Sequence, residues 1–341
     1  MKKVLIGMSG GVDSSVAALL LQKQGYEVIG ATMVLFDINS SCLSSKALED
    51  AKKVCDNLKI KHYVIEFKDI FNEKVINNFI ECYKNGYTPN PCIECNKHLK
   101  FGALYKKAKE LGIDFIATGH YAKIEEGFLK KAQAVEKDQT YFLYGINKEV
   151  LNHTIFPLQE FKNKDEIRKL AIDNKLPVAT KKDSQEICFI PSNNYRDFLE
   201  KNTKDIQKIG NFINLNGEII GSHNGIAYYT VGQRKKLGIT NNIPLYVVNI
   251  NPLNNTITLG EEKDLYKSDI TISNINILVN DFSGNIKAKI RSRAKESSVN
   301  INWINDNTIK VKFMEPQKSV SKGQSLVFYK DDICLGGGII I

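Results

Sequence analysis

Short apolar runs alternate with longer segments of helical periodicity in the first part of the chain. Val4, Leu5 and Ile6 form one uninterrupted apolar run, and apolar residues recur at helical spacing from Val16 until Gly25. A continuous apolar run is typical of a strand buried on both faces, whereas the longer spacing is typical of a helix. The stretch from Lys3 to Gly25 is therefore predicted to fold as strand, loop and helix.

The same alternation continues toward residue 201. Further predicted strands lie at Tyr26–Phe36, Lys61–Phe67 and Ile113–Ala122. Helices are predicted at Ala47–Leu58, across residues 70–80, and at Asn96–Leu111. Strands that alternate with helices indicate an α/β fold with a doubly wound parallel sheet, and such sheets bind ligands at the carboxyl ends of their strands.

Beyond about Lys201 the apolar period shortens to two. The runs INLNGEIIGSHNG, AYYTVGQRKKLGI, KAKIRSRA and SLVFYKDDICLGGGIII are short and separated by Asn, Gly and Asp. This pattern predicts a β-rich remainder. The segment KDLYKSD is predicted to be a linker, so we divide the chain into residues 1–201 (α/β), 202–266 (a small β-rich central domain) and 267–341 (a closed or partly closed β-barrel).

The composition indicates an anionic partner and a reducing compartment. The 341 residues carry a formal net charge of +9, which favours a polyanion, although surface lysines for solubility would give the same charge. The seven cysteines are an odd number spread through a large chain, which argues against a disulfide framework and for reduced thiols. The apolar run near the N-terminus is too short for a signal peptide, and no stretch approaches about 18 apolar residues, so we expect a cytoplasmic protein without a membrane partner.

The predicted loop Ser9-Gly10-Gly11-Val12-Asp13-Ser14-Ser15 carries the first candidate chemistry. Adjacent glycines allow close approach of a ligand, and the free N–H groups at the start of the following helix favour a phosphate. The Walker pattern is absent because no lysine follows the second glycine. Asp13 is suited to carry Mg²⁺ or to cap the helix, and an ordinary capped βα turn is the alternative.

Three cysteines form the second candidate site. Cys92 and Cys95 make a CxxC pair, and we expect the helix dipole and Lys97 to favour the thiolate of Cys95. Cys188 follows Lys181 and Lys182 in sequence, which predicts a positive field there too. Zinc is disfavoured because a second tight ligand pair is missing, whereas a three-cysteine iron-sulfur site stays open.

A basic strand is predicted near the C-terminus. Ile286, Ala288 and Ile290 alternate with basic side chains, namely Lys287, Lys289, Arg291 and Arg293. One face of this strand is therefore predicted to enter the core, and the other either contacts phosphates or is simply solvated.

Together these segments resemble one family. GMSGGVDSSV, GYTPNPCIECNKHLKFG, ATGHYA, KDQTYFL, FPL, KKDSQEICFI and YYTVGQRKKLGI stand in the order found in the tRNA-specific 2-thiouridylases, which place sulfur on C2 of the wobble uridine. The resemblance covers nearly the whole chain. It departs from the family at Cys92, where an aspartate is common, and this puts the acid role of that position in doubt.

The resemblance implies a role for each candidate residue. Cys95 is the expected nucleophile or resolving thiol, and Cys188 the expected persulfide carrier. Mg²⁺ would accompany ATP near Asp13. The ATP site would consist of Gly7, Met8, Ser9, Gly10, Gly11, Val12, Asp13, Ser14, Met33 and Gly119. The target base and the tRNA would be contacted by Asn90, Pro91, Cys92, Lys137, Asp138, Gln139, Arg291 and Ser292.

The implied reaction is ATP-dependent adenylation of the C2 oxygen of uridine 34, followed by sulfur transfer that leaves AMP, pyrophosphate and a disulfide between Cys95 and Cys188. A sulfur-donor protein would load Cys188. One alternative places a [4Fe–4S] cluster on Cys92, Cys95 and Cys188. Two others are a ligase that adenylates a small molecule and a non-enzymatic RNA-binding module.

Overall fold

The computed structural model describes residues 1–36, 42–182, 187–190, 194–204, 206–239 and 243–341. Three β-sheets organise this part of the chain. In the same residues, no helix has the length and apolar character needed to cross a bilayer.

The N-terminal part is built on a five-stranded parallel sheet with the order β3-β2-β1-β4-β7. Its strands are β1 (Lys3–Gly7), β2 (Glu27–Val34), β3 (Lys61–Glu66), β4 (Phe115–Ala117) and β7 (Thr154–Ile155). Val4 and Ile6 pack into one core and Leu5 into another on the opposite face. The uninterrupted apolar run therefore forms a strand buried on both faces, as predicted.

Helices pack on both faces of this sheet and in a third apolar core beside it. They are α1 (Val12–Lys23), α2 (Cys42–Leu58), α3 (Lys68–Phe71), α4 (Asn77–Lys84), α5 (Pro91–Cys95), α6 (Leu104–Glu110), α7 (Thr140–Leu143), α8 (Lys148–Leu151), α9 (Lys164–Asp173) and α10 (Tyr195–Asn202). Two π-helical segments, Asn72–Ile76 and Asn96–Ala103, join α3 to α4 and α5 to α6.

The central part is a four-stranded sheet with the order β10-β11-β8-β9. Its strands are β8 (Gly210–Ile213), β9 (Ile219–His223), β10 (Tyr246–Asn251) and β11 (Thr256–Gly260). The aromatic residues Phe71 and Phe79 of the N-terminal part share one core with Phe212 and Val247 of this sheet. The two parts are therefore packed together through a common apolar core.

The C-terminal part is a closed six-stranded barrel, as predicted. Its strands are β12 (Tyr266–Ile277), β13 (Lys287–Lys289), β14 (Ser297–Asn305), β15 (Thr308–Lys318), β16 (Ser325–Lys330) and β17 (Ile333–Ile340). The antiparallel pairing of β12 with both β15 and β17 closes the barrel.

A hairpin from the N-terminal part extends the barrel sheet. It consists of β5 (Lys123–Glu125) and β6 (Phe128–Lys130), and Lys130 pairs with Ile333 of β17. The barrel residues Val327 and Tyr329 also enter the N-terminal core around Leu5. The sequence pattern gave no sign of this connection.

Several local predictions differ from the structure. The strand predicted at Ile113–Ala122 is only β4 (Phe115–Ala117). The segment AYYTVGQRKKLGI forms a short 3₁₀ turn, Ile226–Tyr228, and turns rather than a strand. KDLYKSD is not a linker, because β12 begins at Tyr266 and pairs there with Lys318. The helix predicted to start at Asn96 starts at Pro91, where the missing N–H of proline costs nothing in the first helical turn.

Candidate active site

The predicted phosphate loop lies between β1 and α1, at the carboxyl end of the central strand. Gly10 adopts φ +68°, and a Cβ there would lie 2.3 Å from the Ala47 carbonyl oxygen, so only glycine fits. The Ser9 and Ser14 hydroxyl oxygens are 3.1 Å apart, and the Ser15 hydroxyl donates to the Gly11 carbonyl oxygen at 2.8 Å. The loop is thus held by its own side chains, with the start of α1 available to an anion.

Gly119, which follows the neighbouring strand β4, packs directly on this helix start. A Cβ at Gly119 would lie 2.8 Å from both the Asp13 carbonyl carbon and the Ser14 amide nitrogen. The predicted ATP residues Gly10 and Gly119 are therefore brought to the same edge of the sheet. Of the other predicted ATP residues, Met33 is half-buried near the end of β2 and Met8 is buried just after β1.

Asp13 is held by two side chains that the sequence analysis missed. Tyr121 donates its hydroxyl to Oδ1 at 2.8 Å, and the Lys164 ammonium donates to Oδ2 at 2.6 Å. Lys164 is placed at the start of α9 because the Asn163 side chain caps that helix by accepting from the Glu166 amide at 3.0 Å. These partners come from segments more than 100 residues away in sequence, so no local pattern could reveal them.

A second distant lysine also reaches the loop. The Lys181 ammonium donates to the Gly10 carbonyl oxygen at 2.9 Å and to Asp50 Oδ2 at 2.6 Å. The prediction that Lys181 supplies the positive field at Cys188 is therefore wrong. Lys181 is close to Cys188 in sequence, but in the fold its ammonium lies at the phosphate loop.

The two CxxC cysteines lie on one continuous helix that changes from α-helical to π-helical hydrogen bonding after Cys95. Cys92 falls in the first turn of α5, Cys95 ends α5, and the chain continues without a break into the π-helical segment Asn96–Ala103. Cys95 is buried in the core shared with the central sheet, whereas Cys92 is exposed. Cys188 is also an exposed free thiol.

The three thiols interact electrostatically. Cys95 packs in the same core as Phe189, the residue after Cys188, and Cys95 and Cys92 both contribute to the raised pKa of Cys188. The sequence alone could not establish this proximity. Burial is the largest effect, and it raises the pKa of Cys188 to about 12 and also raises the pKa of Cys92 and Cys95. Cys92 and Cys188 remain accessible to solvent, but the protein around them is dense enough for burial to dominate.

The prediction of thiolates at Cys95 and Cys188 is therefore wrong. The helix dipole and nearby lysines do not outweigh burial, and the thiols are protonated at neutral pH. The cation that acts on them is Lys100, which lowers the pKa of all three thiols, and not the predicted Lys97. Lys97 is exposed, and its stem packs beside Gly145.

The loop that precedes Cys92 is fixed by the other two parts of the molecule. The Thr88 amide donates to the Lys322 carbonyl oxygen at 2.8 Å, and the Gln324 side-chain amide donates to the Thr88 carbonyl oxygen at 2.9 Å. On the other side, a Cβ at Gly86 would lie 2.5 Å from Ile250 of β10. Asn90 and Pro91, the predicted base contacts, follow directly and are thus positioned by the barrel and the central sheet together.

Three of the predicted tRNA residues have partners within the chain, and two of them, Asp138 and Gln139, lie in the loop before α7. Asp138 accepts from the Ala132 amide at 3.0 Å and from the Thr140 hydroxyl at 2.7 Å. Gln139 Oε1 accepts from the Tyr121 amide at 2.9 Å. Both side chains therefore shape the loop between β6 and α7. Lys137 is exposed beside them.

The predicted basic strand is shorter than expected, since β13 ends at Lys289. Burial alternates as predicted, with Ile286, Ala288 and Ile290 in the barrel core. Lys289 is largely buried and lies 3.8 Å from Glu296, so it does not belong to an exposed basic face.

The other residues predicted on that face differ in their solvent exposure and in their hydrogen bonds. Arg291 is exposed, and its guanidinium donates to the Ser319 carbonyl oxygen and, at 3.3 Å, to that of Lys318. Ser292 is half-buried, and Lys287 and Arg293 are exposed. The predicted contacts of Arg291 and Ser292 with tRNA stay predictions.

The described residues do not offer a protein-only metal centre. Among them, no group of three or more His, Cys, Asp or Glu side chains is arranged to hold a metal ion. Cys92, Cys95 and Cys188 therefore do not fit an iron-sulfur cluster in this arrangement. Mg²⁺ is commonly held by one or two carboxylates together with substrate phosphates and water, and Asp13 lies at the phosphate loop with Lys164 and Tyr121 on its two oxygens.

The fold and these two sites define a nucleotide-binding α/β domain with an attached cysteine site, followed by two β domains. Residues 2–192 match the family described as "tRNA methyl transferase HUP domain". Residues 196–261 match the "tRNA methyl transferase PRC-barrel domain", and residues 267–340 match the "Aminomethyltransferase beta-barrel domain".

Curated relatives extend over the full length. The chain is 48% identical over 354 residues to "tRNA-specific 2-thiouridylase MnmA" of Clostridioides difficile, covering 99% of this chain and 98% of the relative. The protein of the same name from Clostridium kluyveri is 48% identical over 353 residues, with 99% of each chain covered. A solved complex, "Crystal structure of a 4-thiouridine synthetase - RNA complex with bound ATP", aligns with TM-score 0.40 and 19% identity over 59% of this chain and 50% of the other. The chain belongs to the tRNA-specific 2-thiouridylase family.

Proposed function

We propose that this chain is a tRNA-specific 2-thiouridylase. It uses ATP to adenylate the C2 oxygen of the wobble uridine and then replaces that oxygen with sulfur from a Cys188 persulfide. The observation that carries the proposal is that Cys95 packs in one core with Phe189, the residue after Cys188, on a fold that also presents a phosphate loop. A ligase for small molecules needs the loop but has no use for the three thiols.

The phosphate loop performs the first half of the reaction. The Ser9 and Ser14 hydroxyls and the N–H groups at the start of α1 bind the phosphates of ATP. Lys164 stands 2.6 Å from Asp13, close enough to this loop to offset phosphate charge, and Mg²⁺ on Asp13 would supply further charge neutralisation. The C2 oxygen attacks the α-phosphorus, the bond to the bridging oxygen breaks, and pyrophosphate leaves with the electron pair.

The cysteine site performs the second half. The terminal sulfur of the Cys188 persulfide adds to C2, the C2–O bond breaks, and AMP leaves. Cys95 then attacks the Cys188 sulfur, so the persulfide S–S bond breaks toward the base and leaves 2-thiouridine and a disulfide between Cys95 and Cys188. In the other order, Cys95 first releases hydrogen sulfide, which then adds to C2. Both orders need an external thiol reductant to restore the cysteines, whose Cα atoms must come within about 7 Å.

The partners follow from this chemistry and from the charge. A formal net charge of +9 suits a tRNA, and we place Lys137, Asp138, Gln139, Arg291 and Ser292 along its path. The target base leaves the anticodon stack to reach Asn90, Pro91 and Cys92, which costs less from an already single-stranded loop. A sulfur-donor protein loads Cys188, and the reaction takes place in the cytoplasm, where the substrate tRNA is found.

The test uses the full chain with a tRNA transcript that carries U34, ATP labelled at the α-phosphate and a persulfide donor. We expect AMP, pyrophosphate and 2-thiouridine, with no product when U34 is replaced by cytidine. Cys188→Ser should lose 2-thiouridine while pyrophosphate release continues, and Cys82→Ser, which alters a half-buried cysteine of α4, should retain both. Thiolation by Cys188→Ser would overturn the proposal.

Two other outcomes identify the rival functions. Pyrophosphate release that needs a small metabolite and no tRNA would indicate a ligase. Binding of tRNA with no AMP formed under any condition would indicate an RNA-binding module.

A further inference from the structure

The π-helical segment Asn96–Ala103 changes which side chains share a face with Cys95. In a π-helix the backbone hydrogen bonds join residues five apart, so such residues stack one turn above the other. Cys95 and Lys100 are five apart across this segment. Gly102 shows the same register, since a Cβ there would lie 3.0 Å from the carbonyl oxygen of Lys97, five residues earlier. In an α-helix the same spacing would rotate Lys100 well away from Cys95.

Lys100 also meets the loop after β4. Its ammonium nitrogen lies 3.4 Å from Nε2 of His120, whose Nδ1 lies 2.7 Å from the Thr118 hydroxyl oxygen. His120 is buried, and burial together with Lys100 lowers its pKa well below the usual value. The imidazole is therefore neutral, with Nδ1–H donating to Thr118 and Nε2 accepting from the Lys100 ammonium.

The charges around the thiols are few. Besides the thiols themselves, Lys100 is the charged group that acts on Cys92, Cys95 and Cys188 in the part of the chain that the structure describes. The Lys100 ammonium contacts the His120 imidazole, which is neutral and therefore does not compensate the positive charge. Position 92 carries a thiol, so no carboxylate at that position neutralises this charge either.

We propose that Lys100 is a positioning residue that stabilises the sulfur anions of this site, and that the π-helical segment is the device that sets it beside the cysteines. The inference rests on the proposed function only for the identity of those anions: the Cys95 thiolate that attacks, and the Cys188 persulfide that adds to C2. Buried thiols gain most from such a cation, because a charge interacts more strongly where water is scarce. With a thiol at position 92, that position adds no carboxylate to compete with the sulfur anions for the ammonium.

The test measures alkylation of individual thiols by iodoacetamide between pH 7 and 9, with peptide mass spectrometry as the readout. Lys100→Met removes the cation and should slow alkylation of the accessible Cys188 about 3- to 10-fold, which corresponds to about half to one pKa unit. Lys100→Arg should stay within about twofold of the wild type. The matched control is Lys97→Met, which removes an exposed charge from the same segment and should have no effect.

The direction of the change separates charge from structure. A loosened site would expose the thiols and speed alkylation, whereas loss of the cation slows it. Near-ultraviolet circular dichroism checks the fold, and Lys100→Gln serves if methionine is not accommodated. Unchanged alkylation in folded Lys100→Met or Lys100→Gln would overturn the proposal.

This experiment needs neither tRNA nor ATP, so its failure is distinct from failure of the proposed function. If the wild-type chain forms no 2-thiouridine, the function is wrong while the alkylation result still decides the role of Lys100. If it does form 2-thiouridine, Lys100→Met should reduce thiolation and leave pyrophosphate release within about twofold.

Discussion

The phosphate loop and the cysteine site are built in opposite ways. The loop occupies consecutive residues, and its shape is fixed by Gly10 and by hydrogen bonds among Ser9, Ser14 and Ser15. The cysteine site instead joins a helix, the chain around Cys188 and a lysine that a π turn brings into register. The loop is ready for an anion as it stands, whereas the thiols are protonated and must lose a proton before they react.

The difference suggests that the two half-reactions can be separated by mutation. Changes in the loop should block both halves, because no sulfur can enter a base that has not been activated. Changes at the cysteines should block only the second half.

The largest expected effect is at Cys95. Cys95→Ser should lower 2-thiouridine formation at least about a hundredfold, because serine can neither release nor resolve the persulfide. Pyrophosphate release should stay within about twofold. Rapid-quench assays of both products check this, and equal loss of both products would mean that the two sites are not separable.

Next in size is Gly10→Ala, which should lower both products about tenfold. The new Cβ would overlap the Ala47 carbonyl oxygen, so the loop must move, at a cost of about 1–3 kcal/mol in the free energy of unfolding. Gly25→Ala is the matched control, since Gly25 also has positive φ (+84°) but no atom lies within 4 Å of its Cβ position. It should lose only about 1 kcal/mol and keep ATP binding, measured by calorimetry.

A moderate effect is expected from pH. Because the pKa of Cys188 is raised to about 12, its thiolate fraction should grow about tenfold for each pH unit from 7 to 10. Alkylation of Cys188 should follow this slope without a plateau. A plateau below pH 9 would instead indicate the depressed thiol pKa that the sequence had suggested. ATP binding at the loop should change far less over the same range.

The smallest expected effect is at the barrel contact. Gln324→Ala removes the hydrogen bonds to the carbonyl oxygens of Thr88 and Pro89 and should cost about 1 kcal/mol in the free energy of unfolding. Thiolation should fall severalfold, because the loop before Asn90 is less firmly held. Gln317→Ala, which removes only a local bond to the Glu315 carbonyl oxygen, is the control and should change neither quantity. Identical melting and activity for the two variants would argue against a positioning role for Gln324.

The sequence predicted the parts that depend on local pattern. The run Val4-Leu5-Ile6 indicated a strand buried on both faces, and the glycines of the loop indicated a tight turn before a helix. The positions of Lys164, Lys181 and Lys100 could not be predicted, because each acts on a group that only the fold or an unusual helical pitch brings near it. Thiol ionisation was mispredicted for a related reason. The neighbouring lysines can be read from the sequence, whereas the burial that raises the pKa of the thiols depends on the packed protein.

The hairpin of β5 and β6 ties the early part of the chain to a strand made much later. Lys130 pairs with Ile333, and β17 also closes the barrel against β12. During synthesis on the ribosome, this hairpin therefore has an unpaired edge until β17 has emerged. Loss of β17 would leave the edge of β6 in the N-terminal part unpaired, and chains without β17 should be prone to aggregation through that exposed edge.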